Sequence, residues 1–69
     1  MSSLGEELPK EQKRVRELIT KYRDPILNGA GNLAAMMMEQ ALQRADSAAI
    51  SGDIVAMIQS YEDLKGFTG

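Results

Sequence analysis

The chain contains no cysteine, no histidine and no tryptophan among its 69 residues. It therefore lacks disulfides, thiol nucleophiles, an imidazole base for catalysis near neutral pH, and the side chains that most often bind transition metals. Its remaining reactive side chains are those of Asp, Glu, Lys, Tyr and Ser, and helix capping or a solvated helix face explains their positions. We therefore expect a protein that is not an enzyme, holds no metal and uses no cofactor.

Long apolar runs are also missing. No stretch approaches the roughly 18 to 20 apolar residues of a transmembrane helix. The first residues, with Glu6 and Glu7, lack the basic and apolar regions of a secretory signal. Because the absence of cysteine also fits a reducing compartment, we expect a cytoplasmic protein that does not bind membranes.

The interior that this chain can form is small. A single domain of this size buries only about 60% of the surface that its unfolded chain exposes. Such domains usually add disulfides, a metal or self-association. Since the first two need cysteine or histidine, the sequence predicts a homo-oligomer.

The charges are unevenly distributed. Six of the eight basic side chains lie between residues 10 and 23, together with two acidic ones, which gives a local balance of +4. Residues 28–69 contain two basic and five acidic side chains, a balance of −3. This separation favours a binding or assembly module whose two parts present opposite potentials, because steering and docking need only charge and shape.

The first predicted helix covers residues 9–24 and follows a flexible arm over residues 1–8. Pro9 suits the first turn of a helix, and the dipeptide Asp24-Pro25 ends it, because the residue before proline avoids the α region. The apolar stripe of this helix consists of Val15, Leu18, Ile19 and Tyr22, which recur at helical spacing.

The second and third predicted helices cover residues 30–50 and 54–65. Between them, Gly52 is a natural C-terminal cap and Asp53 a natural N-cap. We expect an apolar face on the second helix formed by Ala34, Met37, Met38, Ala41, Leu42, Ala45, Ala48 and Ala49. The corresponding face of the third helix consists of Ile54, Met57, Ile58, Tyr61 and Leu64, and Gly66 with Phe67 indicates a Schellman ending.

The predicted fold class is therefore all-α, with three helices. Helices 2 and 3 form an antiparallel αα-hairpin, and several copies complete a homo-oligomeric helical bundle. No segment alternates with period two for long enough to be a strand.

The glycine-rich turn before the second helix is the best candidate for a ligand site. Free N–H groups at a helix N-terminus attract anions, and glycines allow a ligand to approach the backbone. The predicted site consists of Lys21, Tyr22, Arg23, Asn28, Gly29, Gly31 and Asn32, with the two cations folding over an anion and the tyrosine stacking on a base. The alternative is that the glycines only form a turn and let helices 1 and 2 pack closely.

The three consecutive methionines of the second helix are the best candidates for a subunit contact. Met36, Met37 and Met38 cover about 200° of the helix surface, so they cannot all face one interior, and methionine adapts to irregular surfaces. We expect an oligomer interface formed by Leu33, Met36, Met37 and Ala41. The alternative is that the small residues beside them accommodate helices 1 and 3.

A helix-turn-helix that reads DNA would use the third helix as its reader. That helix carries Glu62 and Asp63 with only Lys65 to offset them, and phosphates would repel it. We therefore expect a partner other than nucleic acid, and a small DNA-binding regulator is kept only as a second alternative.

Residues 51–67 resemble the turn and second helix of a tetratricopeptide repeat, in which Gly-Asp precedes an amphipathic helix with Ala and Tyr-Glu. Only one unit is present, whereas such repeats need several neighbours to bury a core. We attribute this likeness to the residues that any helical hairpin requires at its turn and on its apolar face.

From about Leu8 to Gly66 the chain is similar to a group of short helical proteins of tailed bacteriophages and prophages. The shared pattern is a basic first helix, a Gly-rich turn at Gly29, an Ala/Met helix, and a characteristic ending. The ending is matched by Gly52, Asp53, Ala56, Met57, Ile58, Tyr61, Glu62, Leu64 and Lys65. The resemblance implies a phage accessory protein that antagonises host defence, either by binding a host protein or by sequestering a phosphorylated or cyclic nucleotide.

Overall fold

The computed structural model describes residues 3–68 and contains three α-helices and one short 3₁₀ helix. The α-helices are α1 (Leu4–Tyr22), α2 (Asn32–Ser51) and α3 (Ile54–Lys65), and the 3₁₀ helix covers Pro25–Leu27. No strand occurs within residues 3–68. The prediction of an all-α fold with three helices is thus confirmed.

Helix α1 begins earlier than its sequence suggests. The prediction of a flexible arm was wrong for residues 4–8, which are helical, and residues 1 and 2 lie outside the described part. The reason is tertiary: Leu8 is fully buried and Leu4 packs against the same core, so the apolar stripe extends past Pro9. Pro9 therefore lies inside α1 and not in its first turn.

The connection from α1 to α2 covers residues 23–31 and contains the 3₁₀ helix. Helix α1 ends at Tyr22, because Asp24, which precedes Pro25, has a ψ of 129° and so lies outside the α region. Asn28 and Gly29 both have left-handed backbones, with φ of 51° and 84°. Helix α2 then begins at Asn32, two residues after its predicted start.

Two local signals set the junction between α2 and α3, and both were predicted. Gly52 is left-handed with φ of 72°, and the N–H of Asp53 donates to the carbonyl of Ala48 at 3.3 Å, which is a Schellman ending. The Asp53 carboxylate accepts from the N–H of Ala56 at 3.1 Å and caps α3. The Schellman ending predicted at Gly66 was wrong, because that glycine has a right-handed φ of −71°.

The core lies along α2, which packs against both α1 and α3. Its buried apolar residues are Leu8, Val15, Ala35, Met38, Ala41, Leu42, Ala45, Ala48 and Leu64. Four of these nine are alanines, so the helices approach closely around few large side chains. The predicted faces need correction: Met37 and Ala49 are exposed while Ala35 is buried, and Ile54 and Ile58 face outward.

The separated charges are partly used to join α1 to α2. Arg16 donates to both oxygens of Asp46 at 2.9 Å, and Gln12 donates to the same carboxylate at 2.8 Å. Closer to the turn, Nε of Arg23 donates to Glu39 at 2.9 Å. These two ion pairs neutralise part of the predicted charge difference between the basic and the acidic parts of the chain.

Arg14 joins α1 to the end of α3. Its two terminal guanidinium nitrogens donate to the carbonyls of Leu64 and Phe67, each at 2.8 Å, and its Nε donates to Glu11. The Leu64 carbonyl also accepts from the N–H of Phe67 at 3.2 Å, and a cation at this position complements the negative end of the helix dipole.

Within the described range, none of the helices combines the length and the apolar content that crossing a bilayer requires.

Candidate functional site

The glycine-rich turn is shaped by packing. Gly31 is buried, and a Cβ built on it would lie 2.2 Å from the carbonyl oxygen of Tyr22. Gly29 and Asn28 supply the left-handed backbone that the turn needs. The structure thus brings Tyr22 and Gly31 together as direct packing partners, as the alternative interpretation of the glycines expects.

Three backbone donors of this turn already have partners within it. The N–H groups of Asn28, Ala30 and Asn32 donate to the carbonyls of Pro25, Leu27 and Gly29, respectively, at 3.0 to 3.1 Å. They are therefore not available to a bound anion, and the three bonds hold the turn in its present shape.

Two of the side chains proposed for the anion site have other partners. Arg23 is paired with Glu39, and the hydroxyl of Tyr22 donates to the carbonyl of Thr68 at 2.8 Å. Lys21 and Tyr22 line a hollow of about 350 Å³ together with Asp24 and two apolar side chains of the 3₁₀ helix, Ile26 and Leu27. The glycines do not line this hollow, so the structure does not gather the seven residues around one cavity.

The predicted subunit contact on α2 is exposed at three of its four residues. Leu33, Met36 and Met37 are large apolar side chains that solvent reaches, with 66% of Leu33 exposed. They lie at positions i, i+3 and i+4, so they form one surface, which we call the α2 patch. The assignment of Ala41 to this contact was wrong, because Ala41 is 1% exposed and belongs to the core of a single chain.

A second group of exposed apolar side chains lies on either side of the α2–α3 junction, and the sequence did not predict its exposure. It consists of Ile50, Ile54, Val55 and Ile58, all exposed, with Ile50 at 88%. We call it the junction patch. The signal in the sequence is four β-branched apolar residues within nine positions around Gly52. Val55 lies outside the row of α3 residues that was predicted to face the core.

A polar groove of about 610 Å³ lies between α2 and α3. Glutamine and serine side chains supply most of its lining, with Arg44 and Asp63 as its charged groups. It contains no nucleophile paired with a base. Among residues 3–68 there is also no group of three or more acidic side chains placed to hold a metal ion.

Comparisons of the chain with protein-family models, with curated proteins and with solved structures found no match.

Proposed function

We propose that this protein is a non-catalytic binding module that works as a homo-oligomer. The observation that carries the proposal is the α2 patch, in which Leu33, Met36 and Met37 expose large apolar side chains on one surface. Contiguous exposed apolar surface of this kind marks interaction sites in small proteins. Covering it stabilises an assembly by about 25 cal/mol for each Å² removed from water.

The lengths of α2 and α3 indicate that α3 leaves the α2 patch uncovered. Only Gly52 and Asp53 connect α2 to α3, and the polar groove has Ser51 and Ala56 in its lining as well as Gln40 and Asp63. Both facts favour an antiparallel hairpin. With 20 residues in α2 and 12 in α3, α2 is about 12 Å longer at 1.5 Å per residue. Its N-terminal turns then extend beyond α3, and a helix from another copy would complete the bundle there.

The composition of the core supports the same proposal. Four of the nine buried apolar residues are alanines, which contribute little buried area. A small domain without disulfides gains stability by association, because the partner supplies the apolar contacts that its own chain lacks.

For the biological setting we propose a phage-encoded accessory protein that binds a host protein in the host cytoplasm. One support is the resemblance of the chain, from about Leu8 to Gly66, to short helical proteins of tailed bacteriophages and prophages. The other is its exposed apolar side chains, which are suited to protein partners. The nucleotide-sequestering alternative has less support, because Arg23 and Tyr22 are engaged elsewhere. DNA binding is disfavoured, because Glu62 and Asp63 of α3 are exposed.

The test compares Met36→Glu with wild type by light scattering and native mass spectrometry. We expect the wild type to assemble into a multiple of its 7.6 kDa chain, and the variant to dissociate, because a buried carboxylate without a partner is costly. Gln43→Glu adds the same charge two turns further along α2 and should leave the mass unchanged. A wild type that stays a single chain at millimolar concentration would contradict the proposal.

A further inference from the structure

The polar groove between α2 and α3, which we call the α2–α3 groove, has a buried bottom and exposed walls. Ala48 and Ser60 are its most buried lining residues, with 4% and 5% of their surface exposed. The side chains around them, such as Gln43 on α2 and Gln59 on α3, are exposed. The groove therefore leads from solvent to the interior of the helix pair, and no residue of α1 lines it.

Ser60 is the one buried polar residue in the described part of the chain, and its hydroxyl has no hydrogen-bond partner there. Other helical hydroxyls have one: Thr20 donates to the carbonyl of Arg16, and Ser51 donates to that of Ala48. No side-chain oxygen or nitrogen in this part is both fully enclosed and unpaired, so the Ser60 hydroxyl is open to the groove that it lines. A buried hydroxyl without a partner is costly, and a ligand in the groove would supply the partner.

Three of the four glutamines of the chain line the α2–α3 groove, namely Gln40, Gln43 and Gln59. Within the range that the structure describes, their carboxamides form no hydrogen bond, whereas the fourth glutamine, Gln12, donates to Asp46 at 2.8 Å. A carboxamide carries donors and an acceptor side by side, which matches the N–H and C=O groups of a peptide main chain. The walls of the groove thus present unpaired groups of the kind that bind peptide backbone.

The charged groups of the groove disfavour several other classes of ligand. Arg44 and Asp63 carry opposite charges and form no ion pair in the described chain. Asp63 would repel a phosphate that Arg44 attracts, and one carboxylate is too few for a divalent cation. No aromatic side chain lines the groove, so a nucleobase would find no stacking partner. The lining favours a neutral ligand with several hydrogen-bond donors and acceptors.

The dimensions of the groove suit a short extended chain. Its lining residues run from Gln40 to Ser51 on α2 and from Ala56 to Asp63 on α3, which corresponds to about 16 and about 10 Å along the two helices. An extended peptide advances about 3.3 Å per residue, so about three to five residues fit.

We propose that the α2–α3 groove binds an extended peptide segment of a partner protein through its main chain. Gln43 and Gln59 pair with N–H and C=O groups of the peptide from the two walls, and the Ser60 hydroxyl bonds to the main chain at the bottom. This inference goes beyond the proposed self-association and does not depend on it, because none of the residues of the α2 patch lines the groove.

The first experiment titrates isotopically labelled full-length protein with millimolar acetyl-Gly-Ser-Gln-Ser-Gly-amide and follows the side-chain amide signals of the glutamines by NMR. We expect saturable shifts for Gln40, Gln43 and Gln59, and none for Gln12, which lies on α1 and has its own partner. The same peptide with N-methylated main-chain nitrogens keeps its side chains but lacks the donors, so it should cause no shift. The absence of saturable shifts with the unmodified peptide would overturn the proposal, and so would equal shifts with the methylated one.

Ser60→Ala separates a ligand contact from a structural role. Removing an unpaired hydroxyl and placing alanine in a helix should leave the melting temperature unchanged or raise it. The affinity for the peptide should fall by about two- to tenfold, the loss expected for one hydrogen bond. Thr20→Ala removes a hydroxyl of α1 outside the groove and should leave the affinity unchanged. A Ser60→Ala variant that binds the peptide as tightly as the wild type would contradict the proposed contact.

Two further outcomes would assign the α2–α3 groove to another occupant and overturn the peptide proposal. Free glutamine that causes the same shifts as the peptide would indicate an amino-acid site. Shifts of the three groove glutamines on dilution, without any peptide, would indicate that a second copy of the chain covers the groove. Met36→Glu, designed to be a single chain, should bind the peptide as the wild type does, so a failure of self-association leaves this inference intact.

Discussion

Gly31 lies against the backbone of Tyr22 so closely that a Cβ on the glycine would be 2.2 Å from the tyrosine carbonyl oxygen. The contact joins the last residue of α1 to the residue that precedes α2. The neighbouring atom belongs to the backbone of a helix and cannot move aside cheaply. Glycine at this position is therefore required by packing, which explains the turn without a ligand.

The first prediction is that Gly31→Ala lowers the free energy of unfolding by about 1 to 3 kcal/mol, the usual cost of overpacking. Chemical denaturation measures it. Gly5→Ala is the matched control, because the nearest atom to its Cβ is a serine hydroxyl at 3.7 Å. It lies within α1 and should raise stability by up to about 1 kcal/mol through helix propensity. Equal stability of Gly31→Ala and wild type would contradict the observed contact.

The features that the sequence predicted well depend on neighbours within a few residues. Gly52 and Asp53 were assigned as caps and act as caps, because a left-handed glycine and a carboxylate three residues before a free N–H are local arrangements. The bounds of α3 agree with the prediction for the same reason.

The features that the sequence did not predict depend on contacts between helices. Gly5 and Pro9 suggested a loose beginning, but burial of Leu8 keeps residues 4–8 helical. On α2, helical periodicity defined a wide apolar arc, and it could not tell which flank α1 and α3 would cover. The prediction therefore placed Met37 and Ala41 together, both on the apolar face and in the subunit contact, whereas in the structure Met37 is exposed and Ala41 is buried.

The candidate ligand site was predicted from residue types that attract anions, and two of its residues, Tyr22 and Arg23, have partners within the chain. Arg23 is near the glycines in sequence, yet its partner is Glu39, sixteen positions away. Such pairing follows from how α1 lies on α2, which no local pattern encodes. The exposed methionines were predicted correctly, because three in succession exceed what one interior face can hold.

The second prediction concerns Arg14, which donates to the carbonyls of Leu64 and Phe67 at the end of α3. Arg14→Met keeps much of the apolar stem but removes the donors, so we expect a loss of about 1 to 2 kcal/mol of unfolding free energy. Thermal and denaturant unfolding measure it. Lys13→Met removes an exposed charge that forms no ion pair among residues 3–68, and it should change stability by less than about 0.5 kcal/mol. Similar effects of both variants would count against a capping role for Arg14.

The third prediction tests whether the charge separation joins α1 to α2. Arg23→Glu places like charges beside Glu39, and Glu39→Arg places two cations together, so each single variant should be less stable than wild type. The double variant restores opposite charges and should recover most of the loss. Both side chains are more than two-fifths exposed, so we expect a coupling energy below about 1 kcal/mol that shrinks as salt is added. Additive single effects at low salt would show that the pair does not interact.

The fourth prediction concerns nucleotide binding at the glycine-rich turn. We expect cyclic mononucleotides and dinucleotides to leave the melting temperature unchanged, because the N–H groups of Asn28, Ala30 and Asn32 already donate within the turn. A ligand at a hundred times its Kd would stabilise the folded state by about 2.7 kcal/mol, which thermal melting detects readily. A saturable rise that Lys21→Ala abolishes, and that Lys13→Ala on the same helix leaves intact, would overturn this expectation. It would place an anion beside the 3₁₀ helix and restore nucleotide sequestration as the leading function.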